Sequence, residues 1–113
     1  MTDRDWFADL QTLQSAVAAA KQQWNTACGL QITAAEAVRQ AGVAMHAVLE
    51  SPNDRAAFDS AVAAVRNARD DYARILAEVE LADMSHQQAV AALKAFHVEL
   101  SNWIHGDTDG TPL

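Results

Sequence analysis

The sequence predicts an all-α protein: an antiparallel bundle of about four helices, two of them long and two shorter. Apolar residues recur every three or four positions along most of the chain, which is the period of a helix. Alanine, the strongest helix former, supplies much of the 50% hydrophobic content, and only 4 Gly and 2 Pro interrupt it. At 113 residues the chain can build one domain with its own core. We therefore assign residues 1–106 to the bundle and 107–113 to a flexible acidic tail.

Helix 1 is predicted to begin at Thr2, a residue type that caps helix N-termini, and to end before Gly29, a typical left-handed C-terminal stop. Its apolar residues follow an unbroken spacing of four and three, which is the heptad pattern of a helix that packs along one seam. The residues of this seam are Trp6, Leu10, Leu13, Val17, Ala20, Trp24 and Ala27.

Helix 2 is predicted to begin at a capping box formed by Thr33 and Glu36, and to run to about Glu50. Gly42 interrupts it. A glycine inside a helix costs about 1 kcal/mol relative to alanine, so we expect it to mark a close helix crossing. The seam of this helix consists of Ala34, Val38, Ala41, Met45 and Val48.

Helix 3 is predicted over Asp54–Asp83, after a clear break in which Ser51 is the N-cap, Pro52 the first helical residue and Asp54 the third. It carries two overlapping seams and is therefore expected to touch two neighbours. One seam is Phe58, Val62, Val65, Tyr72, Leu76 and Val79; the other is Ala61, Val65, Ala68, Tyr72, Ile75, Val79 and Ala82. Arg69 interrupts the first seam, and we expect it to extend its charge into solvent at the bundle edge.

Helix 4 is predicted to begin at a second capping box, Ser85 to Gln88, and to end at Gly106. Neither glycine nor proline marks the break at Met84–Ser85. The alternative is that helices 3 and 4 are fused into one rod, which would have to dimerise to cover its seams. The predicted seam is Val90, Leu93, His97, Leu100 and Ile104, with Phe96 and Trp103 beside it.

Charge and composition exclude several classes of function. The net charge of −7 disfavours binding to nucleic acid or to anionic lipid. The N-terminus is acidic and lacks an apolar run, so no signal peptide is expected, and no stretch is apolar enough to span a membrane. The single cysteine, Cys28, cannot form an internal disulfide; we expect a half-buried, inert thiol and a cytoplasmic protein.

The sequence contains no motif for catalysis, metal binding or cofactor binding. A di-iron bundle would need Glu-x-x-His pairs, and none occurs although the chain has 4 His. Phosphate-binding loops, nucleophile elbows and dinucleotide fingerprints are also absent. We therefore expect a protein that is not an enzyme and has no cofactor.

Two surfaces are candidates for binding another protein. The first is an acidic face on helix 3, which an Arg- or Lys-rich partner would complement; its residues are Asp70, Asp71, Glu78, Glu80 and Asp83. The second is a nearly uncharged polar face on helix 1, because the centres of interfaces are depleted in charge. Its residues are Gln11, Gln14 and Gln22.

Together these features predict a non-enzymatic binding protein: an acidic inhibitor that occludes a basic, nucleic-acid-binding surface of a partner protein. Small acidic helical proteins without cofactors occur among immunity proteins and phage-encoded anti-defence or anti-CRISPR proteins, which is a similarity of size, charge and fold class only. The alternative is a structural or assembly subunit, or a secretion-type chaperone, that acts as a homo-oligomeric bundle. The unequal helix lengths also allow a homodimer.

Overall fold

The computed structural model describes residues 4–50 and 53–106, and it is built almost entirely of two long α-helices. Helix α1 spans Trp6–Glu50 and helix α2 spans Arg55–Ser101, followed by a π-helical turn, Asn102–Gly106. No strand occurs within these ranges. The all-α class is confirmed, whereas the four-helix bundle is wrong: the chain is a helical hairpin.

Helix α1 is continuous because its apolar pattern never changes register. Ala27 ends the seam of predicted helix 1, and Ala34, which opens that of predicted helix 2, lies seven residues further on. Gln31 falls between them at the heptad position and is half-buried. The buried and half-buried side chains therefore keep the spacing of four and three from Trp6 to Val48, as one heptad seam does.

The predicted break between Gly29 and Thr33 is consequently wrong. No described glycine has a positive φ, so Gly29 is an ordinary helical residue and not a left-handed stop. The Thr33 hydroxyl donates to the Gly29 carbonyl oxygen at 3.3 Å, one helical turn back, instead of capping a new helix. The close crossing expected at Gly42 is also wrong, because a Cβ placed there would meet nothing within 4 Å.

Helix α2 is the fused rod that the sequence left as the alternative. The second predicted seam continues past Ala82 without a change of spacing, through His86, Ala89, Leu93, Phe96 and Leu100. Helix α2 continues through Met84, where a break was predicted, and the Met84 side chain is exposed. The predicted seam position of His97 is wrong by one residue: His97 is exposed, whereas Phe96 is only 2% exposed.

Each long helix begins at an aspartate cap. The Asp5 carboxylate accepts a hydrogen bond from the Ala8 backbone N–H at 3.0 Å. The Asp54 carboxylate accepts one from the Ala57 N–H at 3.1 Å, so Asp54 is the N-cap and not the third residue of its helix. The predicted caps Thr2 and Ser51, with Pro52 and the tail 107–113, lie outside the described residues.

The chain divides into two compact units. The turn unit is the continuous segment Asn25–Leu81, and the terminal unit joins the residues before Asn25 to those after Leu81. The buried side chains of the turn unit are all alanines: Ala27, Ala34 and Ala61. Alanine removes little apolar area from water, so this part of the core contributes less than a core of large side chains would.

In the terminal unit, aromatic side chains supply the larger contacts. Trp6 meets Phe96 edge-on with ring centroids 5.6 Å apart, and it meets Trp103 at 5.5 Å. Trp24 stacks on His86 at 5.6 Å with an interplanar angle of 13°. Aromatic pairs at this separation are worth about 0.5–1.5 kcal/mol beyond the area that they bury.

Arg4 contacts residues of both helices in the terminal unit. Arg4 contacts the carboxylates of Asp9 at 2.6 Å and Glu99 at 2.8 Å, and its guanidinium lies 4.1 Å from the Trp6 ring centroid. The hydrogen bonds to Asp9 and Glu99 raise the pKa of Arg4 above its ordinary value. Arg4 therefore ties the start of α1 to the end of α2 by charge and by ring contact.

Candidate protein-interaction surfaces

Helix α2 presents three faces within the turn unit. Successive residues turn by about 100°, so each residue's face follows from its position along the helix. One face carries the seam residues, such as Ala61, Val65 and Ala68, and packs against α1. A second, which we call the acidic face, consists of Asp70, Asp71, Arg74, Glu78 and Leu81. A third, the arginine face, consists of Val62, Arg66, Arg69, Ala73, Leu76 and Glu80.

The acidic face is held together by one arginine. Arg74 lies 3.4 Å from the Asp71 carboxylate and 3.2 Å from that of Glu78. Asp70 shares the face and makes no ion pair within the part of the chain that the structure describes. Three carboxylates and one guanidinium leave this face with a charge of −2. Leu81 lies among these charges and is 64% exposed.

The five carboxylates predicted as one acidic surface do not share one face. Glu78 and Glu80 are two residues apart and point roughly 160° away from each other. Glu80 lies on the arginine face, about 120° around the helix from Arg74. Asp83 is half-buried, and its carboxylate accepts a hydrogen bond from the Gln87 side chain at 3.0 Å. The structure thus groups Asp70, Asp71 and Glu78 only.

An open groove of about 340 Å³ lies beside the arginine face in the turn unit. Its lining residues are Met45, Val62, Val65, Arg66, Arg69 and Asp70. Arg66 and Arg69 contact no carboxylate of the described residues, in contrast to Arg4, Arg39, Arg55 and Arg74, which each do. Arg69 was expected to interrupt an apolar seam and Arg66 to lie in a charged solvent stripe. The signal that could have identified the groove is their spacing of three residues, which places both arginines on one face.

The polar face predicted on helix 1 is exposed as expected. Gln11, Gln14 and Gln22 lie on one side of α1 in the terminal unit, away from its seam. The terminal unit also has a groove, of about 320 Å³. Its lining residues are His86, Gln87, Val90, Ala91 and Lys94.

No cluster of metal-ligating side chains is found in the part of the chain that the structure describes. Cys28 is half-buried, as predicted. It lies within α1 and not at a helix terminus. Over residues 4–50 and 53–106, neither helix has a stretch long and apolar enough to cross a membrane.

Comparison with known proteins gives no match: no family model fits the sequence, and neither a curated protein nor a solved structure is similar to it.

Proposed function

We propose that this chain is a non-enzymatic protein-binding module whose acidic face binds a basic surface of another protein. The observation that carries the proposal is Leu81, an exposed large apolar side chain on the same face as Asp70 and Glu78. An exposed apolar side chain beside carboxylates offers a partner both apolar area to bury and charges that steer association.

The net charge of −7 favours the association of the acidic face with a cationic surface. A surface that binds nucleic acid is a suitable target, since it presents arginines and lysines spaced for phosphates. An inhibitor that covers such a surface needs carboxylates and an apolar anchor but no catalytic group. The acidic face has these two features.

The test is affinity capture from a lysate of the source cells with two matched double variants. Asp71→Lys with Glu78→Lys reverses the acidic face, whereas Glu36→Lys with Glu50→Lys makes the same charge change on α1. Glu36 is a fitting control because it too is exposed and paired with an arginine, Arg39.

We expect the parent chain and the α1 control to capture the same basic protein, with capture weakening as salt is raised. The acidic-face variant should lose it. Leu81→Ser should lose capture at every salt concentration, because it removes the apolar anchor and no charge. Equal capture by both double variants would refute the proposal.

A second candidate function, a homo-oligomeric structural or assembly subunit, is supported by the arginine face. That face combines apolar residues, two arginines without carboxylate partners and one carboxylate, Glu80, on a single side of α2.

A further inference from the structure

We propose that the arginine face binds a second copy of this chain. In this contact α2 runs antiparallel to α2 of the second copy, and Glu80 of each copy lies opposite Arg66 of the other, with Arg69 one turn away. The inference rests on the second candidate function and deepens it by naming the residues of the contact. It concerns a different face of α2 and a different partner from those of the acidic face.

The spacing along α2 makes this face complementary to itself. Arg66, Ala73 and Glu80 are seven residues apart and form one row along the helix. When two such helices run antiparallel with Ala73 opposite the second copy's Ala73, Arg66 falls opposite Glu80. A two-fold axis repeats the same pairing at the other end, so one complementary contact is made twice.

The side chains beside this row fit a close helix contact. Ala73 is small and lies at the centre, which lets the two backbones approach. Val62 and Leu76 are half-buried and flank the row with apolar surface. Arg69 is one turn from Arg66, so two guanidinium groups border the groove that receives the second copy's Glu80.

The charges of this face also lack partners within one copy. Glu80 is exposed and contacts no arginine or lysine of the described residues, and Arg66 and Arg69 contact no carboxylate there. The proposed contact pairs all three.

The experiment uses charge reversal and its rescue, measured by sedimentation equilibrium of the full chain. The parent should be a dimer at low micromolar concentration. Glu80→Arg places arginine against arginine at four contacts in the dimer. The double variant Arg66→Glu with Arg69→Glu places carboxylate against carboxylate at the same four contacts. Each variant alone should raise the dimer dissociation constant about 100-fold or more.

Mixing the two variants should restore a dimer that contains one copy of each, because the arginine introduced in the first copy then meets the carboxylates introduced in the second. Native mass spectrometry reports this heterodimer directly, since the two masses differ. Circular dichroism of each variant alone should match the parent, which separates loss of pairing from loss of folding.

A parent chain that is still monomeric at about 100 µM, far above the low micromolar concentration at which a dimer is expected, overturns the proposal. A Glu80→Arg variant that dimerises like the parent, or a mixture of the two variants without heterodimer, overturns it too. Glu78→Arg, on the acidic face, is the control and should leave dimerisation unchanged. Because Glu78 belongs to the surface proposed for the basic partner, failure of dimerisation and failure of partner capture are distinguished.

Discussion

Replacing Gly29 with alanine decides between a continuous α1 and a chain break. In a helix interior alanine is favoured over glycine by about 1 kcal/mol, because glycine loses more backbone entropy on folding. A Cβ at Gly29 meets nothing within 4 Å, so no steric cost reduces this gain. We therefore expect Gly29→Ala to raise the free energy of unfolding by about 1 kcal/mol.

For a chain of this size, 1 kcal/mol corresponds to a rise of roughly 4 °C in the melting temperature. Thermal unfolding followed by circular dichroism at 222 nm (about the helix minimum) would measure the shift, and urea unfolding would give the free energy. Gly42→Ala is a second measurement of the same effect, since its Cβ also has open space.

The opposite sign at Gly29 would refute the continuous helix. If Gly29 were a left-handed stop, alanine would have to adopt a conformation that costs an L-residue about 1–2 kcal/mol. The variant would then melt at a lower temperature than the parent while Gly42→Ala still melted higher. The two structures therefore predict changes of opposite direction at one residue.

Three further predictions follow from burial and charge. Phe96→Ala should lower the free energy of unfolding, measured in urea, by about 3–5 kcal/mol. Phe7 is 68% exposed, so Phe7→Ala should change the same free energy by less than about 0.5 kcal/mol. Equal effects of the two substitutions would contradict the packing of Phe96. The hydrogen bonds from Arg39 lower the pKa of Glu36, so this pair stabilises the fold above the ordinary carboxyl pKa and loses that effect as the pH falls through the lowered value. An NMR titration of Arg39→Gln should show the Glu36 pKa returning upward, whereas Arg55→Gln should leave it unchanged. Circular dichroism of the parent should show helix far above the one-third typical of soluble domains, and a substantial strand signal would contradict the fold.

The helical period and the reversal of the chain were predictable from the sequence, but two of the three predicted breaks were not real. Glu50 ends α1, and Asp54 caps α2, where the break near Pro52 was expected. At Gly29 a residue with low helix propensity was taken as a stop, although the heptad spacing on its two sides is in register. A single glycine costs about 1 kcal/mol, which a seam that continues for three further heptads can offset. Continuity of register was therefore the more informative signal.

The surfaces were predicted less well than the helices, because sequence composition does not separate the faces of a helix. Counting acidic residues near Glu78 grouped it with Glu80, although two positions along a helix separate side chains rather than joining them. The exposure of Leu81 could not be read from the sequence either. An apolar residue off the seam has the same identity whether or not a neighbour covers it, and only the packing of the chain shows which.

The wide apolar face of α2 predicted that two helices pack against it. Within the turn unit only one helix of the described chain, α1, does so. The seam through Ala61, Val65 and Ala68 faces α1. The other predicted seam holds Val62 and Leu76, which are half-buried, as Val65 and Ala68 are, but lie on a different side of α2. Helix α2 in a single copy thus has apolar surface for a second neighbour but no third element of the described chain to provide it. Arg69, which interrupts this seam, is then a residue of the proposed contact, because it supplies a charge where the second copy presents Glu80.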